Sequence, residues 1–433
     1  MQLFQKEQFC FYDGAMGTML QRHGLRQGEA PDLMCLTHPE AVEAVHQAYL
    51  DAGSQILCTN TFGANRRNLA GSGHSVQEVV TAAVDIARRA AADRARVAVD
   101  LGPIGELMAP LGSLTFADAY EMFREMAVAG EQAGADFAAV ETMADLAELR
   151  AAVLAVRENT QLPVLATMTF EHTGRTYLGT TPESFALVAE GLGVSALGVN
   201  CSVGPDALTP VVQRLGKVTS LPLIVKPNAG LPDHDTGTYA LSPADFAQQM
   251  TAFAGLGVRL AGGCCGTDPD YIRALCAAFA ELRPKQQKCD ESVPLACTAS
   301  TVVPLDDDVM LGTSLLGDHR AEFDQALAEG DFDTVLELVN EDLDDGADLI
   351  CIPTDCGSDN ARQSLQGILL ELQGFITVPL AFVSKNAGDL EAALRVFHGK
   401  ACVMAENGTD LDALAGPVLK YGAIIMGLQP PTE

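Results

Sequence analysis

Tryptophan is absent from these 433 residues and basic residues are scarce, 27 Lys and Arg standing against 57 Asp and Glu for a formal charge of −30. So acidic a chain repels phosphate, which argues against nucleic acid or an anionic membrane surface as partner. The lack of tryptophan weakens any aromatic cage for a cationic ligand, although seven tyrosines and seventeen phenylalanines remain. No uninterrupted apolar run approaches the ~20 residues of a membrane span. The opening Met1-Gln2-Leu3-Phe4-Gln5-Lys6-Glu7 has no basic segment leading into an apolar core, so it does not read as a secretory signal. The twelve cysteines are then expected in a reducing compartment, by default the cytoplasm, and free or metal-bound rather than paired.

What is present is an ordinary globular composition, 48% apolar and 19% charged, with length enough for two or three domains. Residues 1–283 hold 19 basic and 31 acidic side chains, net −12, and residues 284–433 hold 8 and 26, net −18. From residue 8 to about 283, short apolar runs at 8–13, 54–59, 97–102, 136–141, 163–169, 194–200, 221–227 and 257–263 read as strands. Between and after them Pro39–Asp51, Val76–Arg94, Phe116–Gln132, Leu146–Arg157, Pro182–Leu192, Asp206–Leu215, Ser242–Leu256 and Pro269–Leu282 carry apolar residues at helical spacing. Eight strands alternating with eight helices predict a (β/α)8 TIM barrel. The competing doubly wound sheet, in its dinucleotide-binding form, wants a glycine fingerprint after the first strand. Asp13-Gly14-Ala15-Met16-Gly17-Thr18 lacks that spacing.

In such a barrel the chemistry gathers at the carboxyl ends of the strands. Those ends carry Asp13, Thr59-Asn60-Thr61, Gly102-Pro103, Glu141-Thr142, Asn200-Cys201, Lys226-Pro227-Asn228 and Gly262-Gly263-Cys264-Cys265-Gly266. Neighbouring residues on a strand point to opposite faces, so Cys264 and Cys265 can share one metal only where the chain turns. The flanking glycines permit that turn. With Cys201 as a third thiolate the set makes a catalytic zinc site with one open position. Buried cysteines packing as small hydrophobes are the plain alternative, stronger for Cys201 alone than for the glycine-framed pair. Asp13 and Glu141 together suit a cationic amine, and the backbone N–H groups of Gly17 and Thr18 suit a carboxylate. His172 reads as a surface loop residue.

Residues 284–303 are polar and aperiodic, which marks a linker. Beyond it, from 304 to 433, strands at 309–313, 348–353, 377–383, 400–404 and 421–426 surround helices near 319–346, 360–373, 388–397 and 410–420. This is a smaller α/β partial barrel, about half of one, whose open edges need covering by the first domain or by a second copy in a homodimer. Asp306-Asp307-Asp308 and Glu341-Asp342-Leu343-Asp344-Asp345 read as solvated faces, or as surfaces that steer a basic partner.

Taken in order, Asp13-Gly14-Ala15-Met16-Gly17-Thr18, Thr59-Asn60-Thr61-Phe62-Gly63-Ala64, Glu141-Thr142-Met143-Ala144-Asp145, Gly198-Val199-Asn200-Cys201-Ser202, Lys226-Pro227-Asn228-Ala229-Gly230 and the double-cysteine motif resemble the homocysteine S-methyltransferase family. The likeness is greatest to the homocysteine-binding domain of its cobalamin-dependent methionine synthase branch. The resemblance covers essentially all of 8–283. It implies zinc on Cys201, Cys264 and Cys265 with the homocysteine sulfur as fourth ligand. By the same resemblance Asp13 and Glu141 contact the amino acid end of homocysteine; with Gly17, Thr18 and Asn200 they make up the expected substrate-binding set. The expected reaction is methyl transfer to homocysteine, giving methionine, from a methylcorrinoid (methylcobalamin) on a separate protein, since no cobalamin-binding domain is recognised here. The competing expectations are a small donor such as S-methylmethionine or betaine, and a non-catalytic zinc or thiol binder. Residues 308–426 resemble the first half of a pterin-binding barrel, but Cys351-Ile352-Pro353, Val383, Met404 and Leu311-Gly312-Thr313-Ser314 stand where that family places its polar pterin-reading groups. Folate binding by this part is therefore not expected.

Overall fold

Eight of the apolar runs pair side by side in parallel. In the computed structural model, which describes residues 8–26, 28–233, 238–285, 289, 292–405, 409 and 411–426, they are β1 (Cys10–Phe11), β2 (Ile56–Cys58), β3 (Arg96–Leu101), β4 (Phe137–Met143), β5 (Val164–Met168), β6 (Ala196–Asn200), β7 (Leu223–Lys226) and β8 (Val258–Ala261). Their order is β1-β8-β7-β6-β5-β4-β3-β2, and a parallel bridge between Tyr12 and Ile56 joins the two ends. This is the expected (β/α)8 barrel. Helices Pro39–Ala52, Val76–Ala91, Phe116–Gln132, Leu146–Asn159, Pro182–Gly191, Pro205–Val218, Pro243–Met250 and Pro269–Phe279 alternate with the strands. Their starts are written in the sequence: Ser75 and Glu78 form a reciprocal capping box, and Thr115, Asp145, Ser242 and Asp268 each accept a first-turn amide, as such residues do at N-caps. The expected helix Ser242–Leu256 ends at Met250 and tightens into a 3-10 segment, Thr251–Gly255.

Side chains alternate across a strand, and one set fills the barrel: Tyr12, Ile56, Cys58, Ala98, Phe137, Ala139, Leu165, Ala196, Ile224 and Leu260. Two residues further toward the carboxyl end, the same alternation reaches Asp100 after Ala98, Glu141 after Ala139, Thr167 after Leu165 and Lys226 after Ile224. All four are buried. The barrel thus ends in polar side chains at its carboxyl mouth because the inward-facing register of its apolar core is carried through.

Contacts divide the chain into two compact units, the first built from residues up to Met108, Leu114–Pro182 and Val194–Cys289, the second from Ala109–Ser113, Glu183–Gly193 and Asp290 onward. The second unit holds a two-stranded hairpin, β9 (Leu295–Cys297) with β10 (Val302–Pro304), and a parallel sheet of β11 (Leu311–Gly312), β12 (Leu349–Pro353), β13 (Leu380–Ser384), β14 (Cys402–Ala405) and β15 (Ile424–Met426) in sequential order. The hairpin lies within the stretch read as linker. Its Ala296 is fully buried in an apolar cluster with Leu349, Cys351, Ala381, Val383, Cys402 and Met404, and Cys297 exchanges backbone hydrogen bonds with Lys400. Residues 286–288 and 290–291 of that stretch, like the opening heptapeptide, lie outside the described residues. The helix expected over 319–346 is two, Arg320–Glu329 and Phe332–Asp344, separated by left-handed Gly330 and re-initiated by the Asp331 cap. Among the described residues no helix is long and apolar enough to cross a membrane.

Gly198 on β6 faces Ile224 on β7, and a Cβ there would lie 1.9 Å from the Ile224 carbonyl oxygen. Backbone cannot yield as a side-chain tip does. Gly198→Ala is expected to lower stability by about 1–3 kcal/mol or more, read as a shift in the urea unfolding midpoint.

Candidate active site and metal centre

The three cysteines converge from two strand ends. Cys264 and Cys265 follow β8 in a loop pinned on both sides: Gly263 N–H donates to Asp13 O (3.1 Å), Cys264 N–H to Pro227 O (2.8 Å), and Cys265 O accepts from Ala229 N–H (3.0 Å). Thr267 Oγ1 donates to Cys264 O at 2.7 Å, and left-handed Gly266 completes the turn. Cys201 follows β6 with φ +62°, and Ser202 beside it has φ +60°. Non-glycine residues in this region are strained and cluster at functional sites. The departure from strand geometry turns the Cys201 thiol toward the pair.

The three sulfurs lie within 4.8 Å of one another, and among the described residues these cysteines are the group able to hold a metal ion. Cys201 Sγ and Cys265 Sγ are 3.8 Å apart. Two thiolates on a tetrahedral zinc with Zn–S of about 2.3 Å stand roughly 3.8 Å apart, so the spacing fits zinc. Hydrogen bonds from Cys264 and Cys265 pull the Cys201 thiol down to about 3, while Cys265 is pushed up to about 11 and Cys264 well above the ordinary range, both first through the hydrogen bond to Cys201. A cation bound by all three would hold them as thiolates and displace the protons they carry. The Tyr239 hydroxyl donates to Cys265 Sγ, and the tyrosine is raised to about 12 by burial and then by the Cys265 charge. Its ring packs on Gly266, where a Cβ would lie 2.3 Å from it.

Beside the cysteines opens a cavity of about 480 Å³ lined by Asp13, Gly17, Thr18, Cys58, Asp100, Glu141, Thr142 and Lys226 as well as Cys201, Cys264 and Cys265. Asp13, Gly17, Thr18 and Glu141 thus line one cavity with the three cysteines. Gly17 and Thr18 lie in the first turn of the helix Met16–Arg22, where amides have no intrahelical acceptor. Asn200 is placed differently. It is fully buried, its Oδ1 accepting from Thr142 N–H and Thr167 Oγ1 (2.8 Å each) and its Nδ2 donating to Thr142 Oγ1 (2.7 Å) and toward Cys264 Sγ (3.9 Å). It sits behind the cysteines, bracing left-handed Thr142, φ +62°. His172 is exposed on its loop.

Lys226, Cys58 and Asp100 complete the acidic side of the cavity. Lys226 forms a buried ion pair with Glu141, its Nζ 3.7 Å from Cys58 Sγ and 4.6 Å from the centre of the Tyr12 ring. Burial works against its charge, but electrostatic attraction to the acidic groups around it, Cys58 and Glu141 foremost, holds its pKa well above the usual lysine value. Asp13 Oδ2 accepts from Cys58 N–H at 2.8 Å. Burial nevertheless pushes the Asp13 carboxyl up to about 7, against the pull of Lys226 and that amide.

A family model described as homocysteine S-methyltransferase matches residues 10–279. Methionine synthase of Mycobacterium tuberculosis (strain ATCC 25618 / H37Rv) is 30% identical over 439 aligned positions, covering 95% of this chain and 37% of that protein. The enzyme of the same name from Mycobacterium leprae (strain TN) is 29% identical, covering 96% and 37%. The chain therefore spans little more than a third of the length of these relatives. The metallated crystal form of the homocysteine methyltransferase MmuM from Escherichia coli superposes with a TM-score of 0.54 at 27% identity, over 63% of this chain and 96% of that one.

A carboxyl whose folded pKa lies above its unfolded value keeps its proton in the folded state after the unfolded chain has lost it, so stability falls as pH rises through that interval. For Asp13 the interval runs from about 3.8 to about 7. Asp13→Asn is expected to flatten the decline of stability across that window, measured by urea unfolding at several pH values. The part due to Glu148, which burial also raises to about 7, should remain.

Proposed function

Because the chain belongs to the homocysteine S-methyltransferase family, we propose that it transfers a methyl group from a methylcorrinoid on a separate protein to the thiolate of homocysteine, giving methionine. The observation that carries this reading is the meeting of three thiols at zinc spacing with an acidic cavity wall in one barrel mouth. A free thiol has a pKa of about 8.5 and only its thiolate is a good nucleophile. Zinc on Cys201, Cys264 and Cys265 supplies a Lewis acid that keeps the acceptor sulfur deprotonated at neutral pH. The residues of the chain do the rest. Asp13 and Glu141 take the substrate ammonium, and the free first-turn amides at Gly17 and Thr18 take its carboxylate. The substrate sulfur is thereby directed at the open side of the cysteine trio. Asn200 and Tyr239 hold the trio in place. The sulfur lone pair then forms the new C–S bond while the donor leaves with the electron pair of the bond it gives up.

The corrinoid donor is supported by the likeness to the cobalamin-dependent branch. A smaller sulfonium or quaternary-amine donor would use the same acceptor site. The test is homocysteine-dependent loss of the methyl–cobalt absorbance of free methylcobalamin, run with zinc-loaded protein, with a chelated control, and beside S-methylmethionine and betaine. Zinc-dependent demethylation is the expected result. Turnover only with a small onium donor would replace the corrinoid assignment.

Cys265→Ala is expected to lose zinc and methyl transfer together, read by metal analysis and product formation. An active, zinc-free variant would overturn the mechanism. We further propose that the second unit does not bind methyltetrahydrofolate. Cys351, Val383 and Met404, at the positions where a pterin site would want polar groups, pack in one apolar cluster. Equilibrium dialysis with the full chain should show no saturable folate binding.

A further inference from the structure

The cavity holds more acid than the reaction as described uses. Glu141 already has an oxygen engaged by Lys226, and Asp13 has one engaged by the Cys58 amide. Asp32, which also lines the cavity, accepts from the Gly63 amide. Asp100, the fourth carboxyl of that lining, is only 6% exposed, and its Oδ1 has no hydrogen-bond partner among the described residues. Buried carboxyl oxygens seldom lack a partner, and one that does calls for a reason.

The surrounding structure fixes where this side chain points. Asp100 N–H is shared by Thr59 Oγ1 and Thr61 Oγ1, both at 3.2 Å, and Thr61 Oγ1 donates to Asp100 O at 2.8 Å. The two threonines fasten the main chain and leave the carboxyl to the cavity. Ala98, two residues back, lies in the barrel core, so the alternation of β3 sends Asp100 inward at the mouth. Lys226 offsets one negative charge of this acidic wall, and a ligand with a cationic nitrogen offsets another.

We infer that Asp100 is a substrate-binding residue whose carboxyl accepts a hydrogen bond from the ammonium group of the amino acid thiol, sharing that group with Asp13 and Glu141. This rests on homocysteine being the acceptor. In the absence of substrate, burial and then the Glu141 charge hold the Asp100 carboxyl well above the usual carboxylate range, and a cation placed beside it acts in the opposite direction. Selectivity for an amino acid thiol over the same thiol acid without its amine follows from this carboxyl.

The experiment uses the full chain loaded with Co(II), whose thiolate absorption reports the intact cysteine trio and shifts when a further thiol binds. Homocysteine and 4-sulfanylbutanoate, which lacks the amine, are titrated into the wild type, Asp100→Asn and Asp100→Ala. Both variants should keep the cobalt spectrum and bind homocysteine about tenfold or more weakly, the range of a hydrogen bond to a charged group. Their affinity for 4-sulfanylbutanoate should be unchanged, so the preference for homocysteine collapses. Unchanged homocysteine affinity, or equal loss for both thiols, would overturn the assignment of Asp100. A wild type whose spectrum responds to neither thiol would instead overturn the acceptor reading, and this inference with it.

Discussion

Placing a carboxylate inside a barrel is unfavourable by several kcal/mol unless a cation meets it there, and removing one member of such a pair costs about 3–5 kcal/mol. Glu141 at the end of β4 and Lys226 at the end of β7 solve this for each other. Because the two strands lie three places apart in the sheet, their side chains reach one another only if the barrel is closed and the inward register of both strands is kept. The lysine also lies against Tyr12 and near Cys58, so β1 and β2 join the same cluster. The pair thus ties the acidic wall of the cavity to the strand that leads into the Lys226-Pro227-Asn228 turn, whose Pro227 carbonyl pins Cys264. The acidic wall and the thiol site share one electrostatic anchor.

The barrel was legible because its units are repetitive: each of the eight helices that alternate with the strands begins at a capping residue or a proline, and each strand is a short apolar run between turn residues. The cysteine trio was legible from local chemistry, since Cys264-Cys265 in a glycine frame makes a poor strand, and Asp13 and Glu141 stood at strand ends. Asp100 was not legible, because a strand buried on both faces reads as a nearly continuous apolar run and conceals which parity faces inward. The end of the third run drew attention to Gly102-Pro103 instead. Lys226 stood in a recognisable block, but its partner is 85 residues away and no local pattern encodes that pairing. Tyr239 lies in a stretch of weak sequence pattern, with nothing in its neighbourhood to mark it as a donor to Cys265. Asn200 was seen as a strand-end amide, yet only the fold shows that its amide is used up bracing Thr142.

In the second unit the hairpin escaped notice for a different reason. Leu295-Ala296-Cys297 is too short for a periodic signal and is surrounded by polar residues, so composition alone describes a linker. Its burial depends on an apolar sheet face that comes later in the chain, with Cys351 and Val383 among its contributors. Pairing decided at that range is invisible to any local window. Gly330, by contrast, marks its helix boundary directly, because the left-handed conformation it adopts is one that a helix interior does not contain.

That same sheet face is rich in sulfur. Cys351 and Cys402 are fully buried, Cys351 Sγ lies 3.9 Å from Met404 Sδ, and burial raises both thiols to about 12. A thiol so placed is chemically silent toward alkylating reagents while the sheet is intact, since only an exposed thiolate reacts at an appreciable rate. Each excursion that opens the sheet would expose them, and the labelling rate would then follow the free energy of local opening. The second unit therefore carries its own clock for fluctuations, separate from the cysteine trio of the barrel, which a bound metal would protect by occupancy rather than by depth.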